Sequence, residues 1–111
     1  MGLLGVVMAQ QAWNKLSFFE QMSNIDGDVQ RLIRAHEKYI RGESPKDNGE
    51  FYLENIKKLV KMILLDDKCA DKGYRAVELY DEIEQLRDYL QGKCSEEYIN
   101  SYWSAYTNAI S

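Results

Sequence analysis

A chain of 111 residues is enough for one hydrophobic core and too short for two. With 45% hydrophobic and 29% charged residues it has the composition of a globular domain and not of a disordered one, and its single proline favours helix over sheet. The formal net charge of −4 counts against a general nucleic-acid binder, and the excess acid sits in the back half: residues 1–66 carry nine basic and nine acidic groups, residues 67–111 five and nine.

The first nine residues, MGLLGVVMA, are apolar but lack the positive segment of a signal peptide and are too short to span a bilayer. Val6 stands where the myristoylation pattern needs Ser or Thr. Met8 is the expected natural start, which makes Met1–Val7 an upstream extension. Residues 1–12 are accordingly set apart as an N-terminal extension from a single domain over 13–111. A cytoplasmic protein is the expectation.

Ser17-Phe18-Phe19-Glu20 matches the S-x-x-E capping box and opens the first helix, expected over 17–41. Its apolar positions Phe18, Met22, Ile25, Val29, Leu32, His36 and Tyr39 or Ile40 step by fours and threes. Gly27 inside that run costs about 1 kcal/mol relative to alanine. The apolar phase does not slip across it, so one continuous helix to Arg41, with Gly42 as the C′ glycine, is expected over a break at Asp26-Gly27. The turn-forming stretch GESPKDNG then leads to a second helix, 50–65, with Tyr52, Ile56, Leu59 and Ile63 on one face. In its second half Leu59, Val60, Met62, Ile63, Leu64 and Leu65 point nearly all round, the pattern of a segment buried on more than one side.

The third helix, 72–90, carries Ala76, Leu79, Ile83, Leu86 and Leu90 on one face and Glu78, Asp81, Glu82, Glu84 and Asp88 on its back. The fourth, 95–110, has Ser95 as N-cap and presents Ile99, Tyr102, Tyr106 and Ala109 or Ile110, with Trp103 beside them. Short links between consecutive helices predict an all-α, up-down-up-down antiparallel four-helix bundle. In such a bundle the apolar end of the second helix meets Trp13, Leu16, Phe18, Phe19, Tyr106 and Ile110. Either the N-terminal segment or a second copy then covers it. The expected interaction surface is Trp13, Phe18, Phe19, Met62, Leu64, Leu65, Trp103 and Tyr106.

Little else in the sequence carries chemistry. Cys69 and Cys94 flank the third helix, whose rise of about 1.5 Å per residue holds them more than ~20 Å apart, beyond the reach of a disulfide. With one histidine and no C-x-x-C, zinc is not expected, and Ile33, three residues before His36, breaks the Glu-x-x-His pattern of di-iron bundles. Neither a metal nor a cofactor is expected. Arg31, Arg34, Lys38 and Arg41 form a basic face on the first helix and Lys57, Lys58 and Lys61 another on the second, which together could track phosphates. Interspersed Glu37 and Glu54 favour a solvated face instead.

Two resemblances follow from these residues. Arg31 and His36 are spaced R-x-x-x-x-H, which resembles the motif of HEPN-type ribonucleases, helical proteins that dimerise to pair two such motifs. The resemblance implies histidine as general acid or base and arginine on the scissile phosphate. WNKLSFFEQMSNIDGDV, followed by helices ending in LLDDK and RDYLQGK and a closing YINSYWSAYTNAI, resembles a group of short uncharacterised bacterial and archaeal proteins whose members commonly begin W-x-K-L-x-F-F-E-Q-M-x-N-I-G-S-E-V. That group implies a small helical fold with no established activity; here Asp26-Gly27-Asp28 replaces Gly-Ser-Glu. The favoured reading is a small non-enzymatic helical interaction or accessory protein, with a protein partner or a second copy of itself. An Arg31/His36 ribonuclease and a nucleic-acid binder using the basic faces are the alternatives.

Overall fold

The Ser17 hydroxyl accepts a hydrogen bond from the Glu20 amide at 3.1 Å, and Glu20 Oε1 accepts one from the Ser17 amide at 2.9 Å. This reciprocal cap satisfies two donors that a helix start leaves open. It fixes the beginning of the longest helix in a computed structural model that describes residues 9–69 and 71–110, the last two by backbone alone. Every regular element among the described residues is helical: residues 9–14 (α1), Phe18–Ile40 (α2), Gly49–Leu65 (α3), Lys72–Leu90 (α4) and Glu96–Ile110 (α5). The fold is therefore all-α. Met1–Val7, the expected extension, lies outside the described residues.

α2 runs through Asp26 and Gly27 as one helix of 23 residues. It stops at a cap in which the Gly42 amide donates to Tyr39 O and the Glu43 amide to Lys38 O. That pairing requires a left-handed residue, and Gly42 supplies it at φ +77° without the clash a Cβ brings. The same arrangement closes α4, with Gly92 and Lys93 donating to Tyr89 O and Asp88 O. α4 starts at Asp71, itself left-handed, whose carboxylate accepts from the Tyr74 amide, and α5 starts where Ser95 Oγ accepts from the Tyr98 amide.

α2 packs along α3 on one side and α5 on the other; α4 lies against α3 and meets α5 more sparingly. Gln21 meets Asp66 while Asp28 meets Asn55, so α2 and α3 run in opposite directions. Ser23 meets Thr107 while Gln30 meets Asn100, and α2 and α5 are antiparallel likewise.

The buried stripes differ in detail from the periodicity. On α2 the stripe is Met22, Ile25, Val29, Leu32, Ile33 and His36, and it ends there: Tyr39 and Ile40 are exposed, because α3 begins only beyond the loop that turns under His36. On α3 the buried residues are Gly49, Leu53, Ile56, Val60 and Ile63, with Tyr52 and Leu59 at the margin. α4 buries Leu79, Ile83, Leu86 and Tyr89. On α5 the fully buried pair is Ile99 and Trp103, one turn apart, with Tyr102 and Tyr106 flanking them. The larger indole takes the centre, and the Tyr102 hydroxyl at its flank finds a protein partner in Glu78.

Candidate functional site

The expected interaction surface divides on folding. Trp103 is fully buried and Trp13 nearly so, which removes both from the surface, since their indoles fill the core between the helices. Phe18, Met62, Leu64 and Tyr106 are half-buried, and Phe19 and Leu65 stay exposed at 47% and 67%. α1 partly covers the end of α3: the Gln10 amide donates to Met62 O at 2.8 Å and to Asn14 Oδ1 at 2.7 Å. Apart from Gln10, residues 9–12 are exposed.

What remains at this end is a run of touching rings. Trp103 contacts Tyr102 edge-on at 5.0 Å, Tyr102 contacts Tyr106 at 5.6 Å, and Tyr106 contacts Phe18 and Phe19 at 5.8 and 5.9 Å. All of these pairs but the tilted Tyr106–Phe19 meet edge-to-face, a geometry attractive beyond the area buried. A polar chain closes the loop from the other side. The Tyr102 hydroxyl donates to Glu78 Oε1 at 2.6 Å, Glu78 accepts from Arg75 at 3.1 and 3.3 Å, and the Arg75 guanidinium lies 4.4 Å over the Phe18 ring. Burial first, and then the hydrogen bond to Glu78, push the Tyr102 phenol well above its ordinary range, so it stays a donor.

Beside the rings opens a cleft of about 240 Å³ lined by Phe18, Gln21, Ile63, Asp66, Lys68, Cys69 and Arg75. Asp66 is its fixed point. Its carboxylate accepts from the Gln21 amide at 2.9 Å, from the Lys68 backbone at 2.9 Å and from Lys68 Nζ. Burial pushes that carboxyl up, but the three donors outweigh it and hold it below the usual aspartate range. Gln21 in turn donates to Trp13 O at 2.9 Å, which ties the segment before α2 to the loop after α3.

The opposite end holds the lone histidine. His36 Nδ1 lies 2.6 Å from Asp47 Oδ2, and the Tyr89 ring packs at 4.9 Å. Asp47 Oδ1 accepts from the Gly49 amide at 2.9 Å, and Gly49 sits so close to Leu90 and Leu32 O that an added Cβ would fall 2.7 Å from Leu90 Cδ2. His36, Glu37, Ile40, Arg41, Tyr89, Gly92 and Cys94 line a shallow cavity of about 310 Å³. Acid crowds it. Burial and then Glu37, Glu96 and Asp47 push Tyr89 up to about 12, and burial with Asp88 and Glu82 raises the Cys94 thiol, which therefore stays protonated rather than nucleophilic.

Arg31 does not join His36. It turns to Asp28 at 2.8 Å and lines a separate groove with Arg34, Ala35, Lys38, Ser44, Asn48 and Tyr52, while Arg41 turns away to Glu43 at 2.9 Å. One chain thus leaves the two halves of the R-x-x-x-x-H spacing in different cavities, and the four basic residues divide three to one. Cys69 and Cys94 form no disulfide. Among the described residues no cluster of His, Cys, Asp or Glu could hold a metal ion, and no helix is long and apolar enough to cross a membrane.

Sequence reasoning did not single out Asp47, Asp66, Gln21 or Arg75. It also did not foresee the polar seam between α2 and α5, where Thr107 Oγ1 donates to Asp26 Oδ2 at 2.8 Å and Gln30 donates to Asp26 Oδ1 and Asn100 Oδ1 at 3.1 and 2.8 Å. The available signal was negative: Asp26 and Gln30 interrupt no apolar stripe and lie one turn apart on the flank of α2. No family model, curated protein or solved structure matches this chain in comparisons against each.

Proposed function

We propose that this chain is a small non-enzymatic interaction protein, cytoplasmic and built as an up-down-up-down four-helix bundle, whose contact surface is the end carrying Phe18, Phe19 and Tyr106 and whose simplest partner is a second copy of itself. The observation that carries the reading is the unbroken run of rings from the fully buried Trp103 out to the half-exposed Phe19. Rings held edge-on from within lose little conformational freedom on binding, which is why aromatic anchors in rigid settings dominate interface energetics. The cleft beside them, with Phe18 and Ile63 as apolar walls and Asp66, Lys68 and Arg75 as polar ones, suits a side chain from across the contact. The resemblance of the front motif to short bacterial and archaeal helical proteins is compatible with a role exercised through contacts alone.

Sedimentation equilibrium of the wild type and of Phe19→Asp tests this. The expected result is concentration-dependent association of the wild type and a monomer for the variant with unchanged helical circular dichroism. A wild type that stays strictly monomeric into the millimolar range removes self-association, and an associating Phe19→Asp variant moves the contact elsewhere.

A further inference from the structure

The groove between α2 and the start of α3 is lined by three cations and by no carboxylate. Arg31, Arg34 and Lys38, spaced by three and four, stand on one face of α2 and line a concavity of about 260 Å³ whose other wall is Ser44, Asn48 and Tyr52. The chain has five arginines. Four of them meet a carboxylate: Arg31 meets Asp28, Arg41 meets Glu43, Arg75 meets Glu78 and Arg87 meets Glu84. Arg34 has no ion-pair partner among the described residues, and neither does Lys38 beside it. Two unanswered cations in one concavity of a chain with net charge −4 are a local reversal of its electrostatics.

We propose that this groove binds a compact phosphate-bearing ligand of the diphosphate type. A guanidinium presents paired N–H groups that match two phosphate oxygens, and an ammonium one turn away meets a second phosphate as a point charge. The first amide of α3 is already met by Asp47, so the positive charge of the groove comes from the side chains of α2 alone. The surroundings select for a short ligand. Across α3 the next groove mixes Lys57, Lys58, Lys61 and Arg87 with Glu54, Asp81 and Glu84, so the run of cations without carboxylates does not continue along α3. This assignment is independent of the aromatic contact surface at the other end of α2.

The test is a heteronuclear NMR titration at low salt with inorganic pyrophosphate, using wild type, Arg34→Glu and Lys58→Glu. Arg34 is exposed, so its replacement leaves the core untouched. Saturable shifts confined to Arg34, Lys38, Ser44, Asn48 and Tyr52 are expected, weakened roughly tenfold or more by Arg34→Glu, as for loss of a charge-assisted pair, and unchanged by Lys58→Glu. Absence of shifts, or shifts that survive Arg34→Glu, overturns the proposal. So does tighter binding of a short single-stranded RNA that is lost equally in Lys58→Glu, which assigns the basic residues to a nucleic-acid track instead.

Discussion

The two loops that flank α3 solve one problem with two different aspartates. Before α3, Asp47 accepts from the Gly49 amide with one oxygen and holds His36 of α2 with the other. After α3, Asp66 accepts from the Lys68 amide with one oxygen and holds Gln21 of α2 with the other. Each loop is thus pinned to an opposite end of the same helix through a buried side chain. The surroundings differ. At the aromatic end carboxylates are answered, Asp66 by Lys68 and Glu78 by Arg75 and Tyr102. At the histidine end Glu37 and Glu96 face one another, and Tyr89 is pushed up by both. The apolar stripes bring the helices together all along, while the ends differ in the carboxylates set beside one another: Glu37, which also reaches Arg41 at 4.0 Å, faces Glu96 at the histidine end.

The largest effect is expected from Asp66→Ala. It removes three hydrogen bonds from a residue 3% exposed and strips Gln21 of one of its two acceptors, at a cost of about 3 kcal/mol in urea denaturation near neutral pH. The carboxyl is held below its ordinary range, so its contribution is fully present above the unfolded value of about 3.9 and is lost as pH falls through the lower folded value. The stability gap between wild type and variant should therefore close in strong acid. A gap that is constant with pH would show that Asp66 acts by shape rather than by charge.

Asp47→Ala is the matching change at the other end, expected to cost about 2 kcal/mol through the loss of the His36 partner and of the Gly49 turn bond. Hydrogen exchange locates the damage. Faster exchange at Gly49–Leu53, with Ile63–Asp66 unaffected, keeps the two ends independent; faster exchange at both makes α3 a single cooperative unit and erases the distinction drawn above.

How much of this was legible follows from the same residues. The positions of α2 to α5 were, because capping and apolar spacing are local: Ser17 with Glu20, Gly42, Gly92 and Ser95 all act within a few residues of themselves, whereas α1 at residues 9–14 fell in and beside the stretch expected to be an extension. Which stripe residues reach the centre was less so, since Trp103 displaces Tyr102 and Tyr106, and Val60 displaces Leu59, only when neighbouring helices fix the rotation. The aspartate ties were illegible. Asp47 lies among turn formers and Asp66 in a charged link, where a carboxylate is normally solvated, and their partners are 11 and 45 residues away. The groove of Arg34 and Lys38 was half legible: the basic face was evident on the helix, but that Arg41 leaves it and Ser44, Asn48 and Tyr52 complete it depends on where the loop returns.

The smallest expected effect is also the one with opposite sign. Burial first, then Glu37 and Glu97, raise the Glu96 carboxyl above its ordinary value. A carboxyl raised in the folded state contributes fully below its unfolded pKa of about 4.3, and that contribution is lost as pH rises through the folded value. Near neutral pH the charged form is therefore a liability, and Glu96→Gln should stabilise the fold by a few tenths of a kcal/mol, the scale of a screened like-charge contact. As the pH is lowered past the carboxyl range, wild type should recover that difference while Asp66 is losing its own contribution. Thermal melts of the two single variants across pH separate these trends, because the two differences have opposite signs near neutral pH and both shrink toward zero in acid, that of Glu96 at higher pH than that of Asp66. Should Glu96→Gln instead destabilise at neutral pH, the facing carboxylates do not repel, and the electrostatic contrast between the two ends of α2 collapses to the presence or absence of a lysine beside Asp66.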